Sequence, residues 1–186
     1  ILTDVEARSS IADDGGFVVD LDAEDGAGGP VSGRAAVADG EIDAALSSQS
    51  AILIRRDDIT AQLTLDLSAT GPLDGPVVAG AITIDRAEAR LVSAGAPTVP
   101  DLGEIRIKGQ EPGAEDRDQA VSRTTLDVTI VAAGDLFIRG RGLDSEWRAN
   151  LTVDGPASAP RVVGEVERLR GQLNLLGSAF GMERGR

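Results

Sequence analysis

Leu143-Asp144-Ser145-Glu146-Trp147-Arg148-Ala149-Asn150-Leu151-Thr152-Val153 is the stretch that decides the fold. Its odd positions are Leu, Ser, Trp, Ala, Leu and Val, and its even positions are Asp, Glu, Arg, Asn and Thr. A period of two over this length predicts a β-strand with one apolar and one polar face. The stretch is preceded by Asp135-Leu136-Phe137-Ile138-Arg139-Gly140-Arg141-Gly142 and followed by a turn at Gly155-Pro156 and a further strand from Gly164 to Gly171.

Working outward, the same alternation recurs. Leu126, Val128 and Ile130 alternate with polar residues, as do Leu63, Leu65 and Leu67. Phe17, Val19, Leu21 and Ala23 form an earlier series, Ile1 to Arg8 a first strand, and Val77 to Ile84 and Ala89 to Leu91 two more. Alanine-rich strands are expected at 31–37 and 41–46. Turns are placed at Asp13-Asp14-Gly15-Gly16 and in Asp25 to Pro30, where glycine permits positive φ. No stretch shows the three-and-four spacing of an amphipathic helix. The polar segment 109–123, with Pro112 and the charged run Glu115-Asp116-Arg117-Asp118, is expected to be a flexible loop.

The chain also repeats. Gly71-Pro72, Pro76, Val78, Gly80, Ile82, Arg86 and Leu91 recur 84 residues later as Gly155-Pro156, Pro160, Val162, Gly164, Val166, Arg170 and Leu175, and a degenerate echo starts at Pro30-Val31. A repeated strand-turn-strand unit buries its apolar face against its neighbours, which favours an elongated open sheet over a closed globule.

Composition bounds the function. Hydrophobic residues make up 41% of the 186, but aromatics only 2%, too few large side chains for a thick core. The net charge of -13 opposes phosphate-backbone binding and excludes nucleic acid as a partner. Without His or Cys, Ser-His-Asp and Cys-His catalysis and the usual zinc sites are impossible. No enzymatic activity, cofactor or metal is expected. The paired carboxylates Asp57-Asp58 and Asp20 with Asp22 are the candidates for acid/base pairs or calcium ligands, but Asp20 and Asp22 read as solvated positions of one strand. The clusters Asp13-Asp14-Gly15-Gly16 and Asp25-Gly26-Ala27-Gly28-Gly29 read as turn chemistry, since the nine-residue period of calcium-binding repeats is missing. Arg139-Gly140-Arg141-Gly142 reads as a strand bend or bulge, because no helix follows to make a phosphate loop. The two arginines would alternatively meet lipid phosphates at a groove rim.

Two uses for the apolar face remain open. It closes against a second sheet as a sandwich core about 10 Å thick, or it lines a trough. The shortage of aromatics and the abundance of medium aliphatics favour the trough. The groove-lining candidates are Leu63, Leu65, Leu67, Leu126, Val128, Ile130, Leu143, Trp147, Ala149, Leu151 and Val153.

The apolar-Arg-Gly-Arg-Gly-Leu-Asp strand start, the alternating strand, the Gly/Pro turn, Gly164-Glu165-Val166, Arg170-Gly171 and the ending Leu175-Leu176-Gly177-Ser178-Ala179-Phe180 together resemble the C-terminal region of the TamB family, over about Leu126 to Arg186. These are periplasmic translocation and assembly proteins of Gram-negative bacteria, related to the AsmA-like bridge proteins. The resemblance implies an all-β fold: an elongated, curled antiparallel or mixed sheet forming an open, folded-over hydrophobic trough, with few or no helices. It further implies a non-enzymatic periplasmic bridge for phospholipid transport between inner and outer membranes, or for assembly of outer-membrane proteins. The partners would be phospholipid acyl chains or apolar β-strands of client outer-membrane proteins, together with an Omp85-type protein such as TamA. The competing expectation is a structural or adhesive β-solenoid or sandwich of a surface protein. The chain opens without a membrane anchor and stops at Met182-Glu183-Arg184-Gly185-Arg186, where the family pattern continues. Residues 1–186 are therefore expected to be a single β-sheet segment of a larger, inner-membrane-anchored protein.

Overall fold

The computed structural model describes residues 3–11, 15–91, 123–175 and 178–182. Ten strands follow one another: β1 (Thr3–Ile11), β2 (Phe17–Glu24), β3 (Pro30–Ala38), β4 (Glu41–Arg55), β5 (Ile59–Pro72), β6 (Val77–Arg90), β7 (Thr125–Gly140), β8 (Leu143–Pro156), β9 (Arg161–Leu175) and β10 (Ser178–Met182). They form one mixed sheet whose spatial order equals the chain order, with β1 and β10 at opposite edges. Every pairing is antiparallel except β6 with β7, which run parallel. The sheet is open and curled, as expected for the all-β class.

Several boundaries differ from the sequence reading. β1 runs on to Ile11, β4 is continuous to Arg55, and β6 is one strand where two short ones were expected. The ladder explains the last difference. Gln62 pairs with Arg86 and Leu63 with Ile84, so Asp85 is the extra residue of a bulge that interrupts the alternation without ending the strand. Arg139 to Gly142 is also a different object from a bend. Gly140 pairs with Leu143, and Arg141 and Gly142 at φ 54° and 84° form the two-residue hairpin turn, the arrangement of a type I′ turn that suits right-twisted strands. Asp39-Gly40 does the same between β3 and β4 at φ 52° and 81°. The expected loop at 109–123 and part of the expected turn at 13–16 lie outside the described residues, although Gly15 and Arg123 are within them.

The repeat is larger than the sequence shows. Adding 84 to β4, β5 and β6 gives 125–139, 143–156 and 161–174, the positions of β7, β8 and β9. The irregularities repeat with them: the register shifts after Gln62 in β5 and after Glu146 in β8. A three-strand unit therefore occurs twice, and the parallel β6–β7 ladder is the joint between its copies.

Polar chemistry pins the turns. Asp25, 1% exposed, accepts hydrogen bonds from the backbone N–H groups of Ile52, Gly29 and Ala27, tying the β2–β3 turn to β4. The Ile52 and Gly29 bonds hold its carboxyl below the ordinary carboxylate range, against burial, which acts to raise it. On the polar face Arg161 holds Asp154 down, and Arg90 together with Arg139 does the same for Glu88. Each of these carboxyls binds a proton more readily in the unfolded chain. Their stabilisation is complete above the ordinary values, 3.8 for Asp25 and Asp154 and 4.5 for Glu88, and is lost as pH falls below them. Urea unfolding between pH 6 and pH 2.5 is expected to show Asp25→Asn less stable than wild type at pH 6, with the gap closing towards acid. A gap independent of pH would contradict the role given to the Asp25 charge.

Candidate functional site: the apolar face

Register carries one face across the whole sheet. From β2 to β5, Leu21 faces Gly33, Gly33 faces Leu46, and Leu46 faces Leu67. Leu65 faces Ile82, Ile82 faces Ile130, and Ile130 faces Leu151. Following these pairs, all eleven residues selected from the sequence lie on one face. Leu63, Leu65 and Leu67 sit on β5, Leu126, Val128 and Ile130 on β7, and Leu143, Trp147, Ala149, Leu151 and Val153 on β8. The structure adds Val78, Ile82 and Ile84 of β6, whose alternation the Asp85 bulge obscures, and Leu136 and Ile138 of β7.

No second layer covers this face among the described residues, because each strand's main contacts are with its ladder neighbours. The burial pattern agrees. Among the described residues six of the ten buried hydrophobics are alanines, while Phe17, Leu46, Val162, Val166 and Phe180 on the same face remain exposed. A sandwich interior would bury such large side chains between facing sheets.

The opposite face is polar, with cross-strand ion pairs such as Arg34–Asp20, Arg148–Glu167 and Arg161–Asp154. Exposed pairs of this kind contribute roughly 0–1 kcal/mol each. Asp20 is thus a paired surface residue, and Asp58 pairs with Arg56 in the β4–β5 turn. Phe137 is the exception. It lies on the polar face, paired with Glu88 and Glu146, yet is only 6% exposed, because the guanidinium carbons of Arg86 and Arg139 cover its ring at 5.1 and 4.6 Å. Arg139 reaches Glu88 at 2.9 Å and Asp144 at 3.3 Å, so of the two arginines suggested for a groove rim this one is a bridge within the polar face.

Trp147 sits on the apolar face opposite Leu136 and Arg168. Its indole N–H donates to Ser145 Oγ at 2.9 Å, and that hydroxyl donates to the Ile138 carbonyl at 3.1 Å. The polar end of the ring is thereby satisfied inside the sheet, and the apolar body is left along the face. The Arg168 guanidinium stacks on it, 5.8 Å from the centroid. Sequence reading did not single out Arg168. An arginine in an apolar series looks like the end of the series.

The family model of the TamB C-terminal domain matches residues 20–186, which takes in most of β2 and all of β3 to β10. No curated protein and no solved structure matches the chain. The family match reaches well beyond the segment from Leu126 onward in which the resemblance was first legible. The chain belongs to the TamB family and carries its C-terminal domain over residues 20–186.

Proposed function

We propose that this chain is a non-enzymatic segment of a periplasmic bridge, and that its apolar face forms a trough carrying phospholipid acyl chains between the inner and outer membranes. Apolar β-strands of client outer-membrane proteins would use the same face. The parent protein would be anchored in the inner membrane by a part outside this segment and would work with an Omp85-type partner such as TamA. The observation that supports this most is the apolar face that register carries from β2 to β9, uncovered among the described residues. An exposed apolar surface of this extent marks an interaction site in a soluble segment, and an acyl chain needs nothing from it beyond apolar contact.

The test uses the purified chain. Organic extracts are expected to contain phospholipid by mass spectrometry. Brominated phospholipids are expected to quench Trp147, which the face presents to acyl chains, whereas iodide is expected to quench it weakly. Extracts free of lipid, with no quenching by added brominated phospholipid, would overturn the proposal.

A further inference from the structure

The strand ends fall on two opposite sides of the sheet, which are the rims of the apolar face. One rim carries the β4–β5 turn, the end of β6 and the β7–β8 turn Arg141-Gly142, and the other carries the Asp39-Gly40 turn and the turns that follow Pro72 and Pro156. The rims differ in charge. Arg141 is exposed and, among the described residues, makes no ion pair, while the neighbouring carboxylate of Asp144 is engaged by Arg139 at 3.3 Å. At the opposite rim Asp74 pairs with Arg123 and Asp154 with Arg161, and among the described residues the carboxylates of Asp39 and Glu41 make no ion pair.

We propose that Arg141 is a headgroup site on the rim, where the phosphate of a glycerophospholipid docks while its acyl chains lie on the apolar face along β8. The inference rests on the acyl-carrying function proposed above and gives the trough a headgroup side.

Three observations carry it. First, the turn disfavours an arginine here. Arg141, at φ 54°, holds the first central position of a type I′ turn, where Asn, Asp or Gly is the ordinary occupant and where the β3–β4 turn has Asp39. Both flanks of the turn are fixed: the Leu91 N–H donates to the Arg139 carbonyl at 2.7 Å, and the Asn174 N–H to the Gly142 carbonyl at 2.8 Å. A side chain that the local conformation disfavours thus stands at a set place on the rim. Second, Arg141 borders the last apolar row. Leu143, two residues on, pairs with Leu173, and Leu173 with Phe180, which is exposed. In a glycerophospholipid the phosphate is joined to the glycerol that bears the acyl chains, so a cation bordering that row meets it. A guanidinium matches phosphate with a planar fork of donors, whereas Asp39 and Glu41 at the other rim repel it. Third, the lane inward is apolar and long enough. Leu143, Trp147, Ala149, Leu151 and Val153 follow one another along β8, and the polar member of the series, Ser145, is 1% exposed with its hydroxyl donating to the Ile138 carbonyl. From Leu143 to Val153 the strand advances ten residues, roughly 33 Å at about 3.3 Å each. Half of a bilayer's hydrocarbon core of about 30 Å is roughly 15 Å, the depth one acyl chain fills. A chain that starts at the Arg141 rim therefore keeps apolar contact over its whole length.

The experiment compares brominated dioleoyl phosphatidic acid with brominated dioleoylglycerol, two lipids with the same chains, one with a phosphate and one without. Each is titrated from detergent micelles into the purified chain, with Trp147 quenching as the readout. Arg141→Asn installs a residue suited to the turn, and Arg34→Asn removes an equal charge from the polar face. Arg141→Asn is expected to unfold at a temperature no lower than wild type. It is expected to bind phosphatidic acid about fivefold more weakly than wild type at low ionic strength, the upper range for one exposed charge pair, with dioleoylglycerol binding unchanged. Arg141→Lys is expected to retain part of the phosphatidic acid affinity, and Arg34→Asn all of it. Equal weakening in Arg34→Asn would reduce the effect to net charge and overturn the site, as would phosphatidic acid binding that Arg141→Asn leaves intact, and in both cases the trough stands. Displacement of phosphatidic acid by an equal concentration of inorganic phosphate would overturn the lipid as the ligand. The same loss with brominated oleic acid would assign Arg141 to carboxylates as well and overturn the phosphate. If wild type binds neither lipid, the trough itself fails and the rim site fails with it.

Discussion

Gly164→Ala is expected to destabilise the chain by about 3 kcal/mol or more, and Gly80→Ala by a similar amount. At Gly164 φ is +150°, and an added Cβ would stand 2.0 Å from the Asn150 carbonyl oxygen and 2.8 Å from the Leu151 Cα. At Gly80 φ is +138°, and the clash is with the Asp66 carbonyl oxygen, again at 2.0 Å. Both obstacles are backbone of the partner strand, so no rotamer relieves them. The backbone conformation alone costs about 1–3 kcal/mol for a residue with a side chain, and displacing a central strand adds to it. Urea unfolding monitored by circular dichroism measures the loss. Gly155 is the control, because its φ of +91° is also positive but its Cβ would meet nothing within 4 Å. Gly155→Asn should cost no more than about 1 kcal/mol, the price of the conformation without the clash. A loss below about 1 kcal/mol at Gly80 and Gly164 would mean that the sheet is not bent at these two positions.

Leu151→Arg is expected to abolish lipid binding by the isolated chain and outer-membrane function in the parent protein, while the chain stays folded. Leu151 lies between Ile130 and Gly164 on the apolar face. An unpartnered charge enclosed in a core costs several kcal/mol, but on an uncovered face it takes water and instead lies across the path of acyl chains. Thr152, its neighbour, pairs with Thr129 and Val163 on the polar face. Thr152→Arg should therefore change stability by no more than about 0.5 kcal/mol and leave binding intact. Thermal unfolding and quenching of Trp147 by brominated lipid separate the outcomes. Unfolding of Leu151→Arg would show a closed interior, and normal binding by both variants would remove the apolar face from transport.

The period of two made the strands and their facing legible. It placed Leu63, Leu151 and nine others on a common face because side-chain direction follows from parity as long as pairing is regular. Where pairing is irregular the inference broke. The bulge at Asp85 split β6 in the reading. The unbroken apolar run Leu136-Phe137-Ile138 shows no alternation of its own, so the sequence did not reveal that Phe137 faces the polar side while Leu136 and Ile138 do not. Alanine gave β3 and β4 little contrast between faces, so β4 was read as ending nine residues early, at Leu46 rather than Arg55. The parallel β6–β7 joint was not legible at all. It pairs Val77 with Thr125 across a long separation, and no local pattern encodes which strand a given edge will meet. Arg168 was missed for a chemical reason: a cation counts against an apolar face until its stacking partner, Trp147 on the next strand, is known.

The doubling of the three-strand unit has a metric consequence. Neighbouring strands lie about 4.8 Å apart, so each unit lengthens the sheet by roughly 14 Å across its strands. Residue 41 begins the first unit and residue 125 the second, and both positions follow the same offset of 84. Excising residues 41–124 would join the Asp39-Gly40 turn to Thr125 in the place of Glu41, with the β3 hairpin still meeting the strand type it meets now. The reach of such a sheet is then a countable property, changed in steps of a whole unit, and a gap between two membranes could be matched by copy number without redesigning a single strand pair.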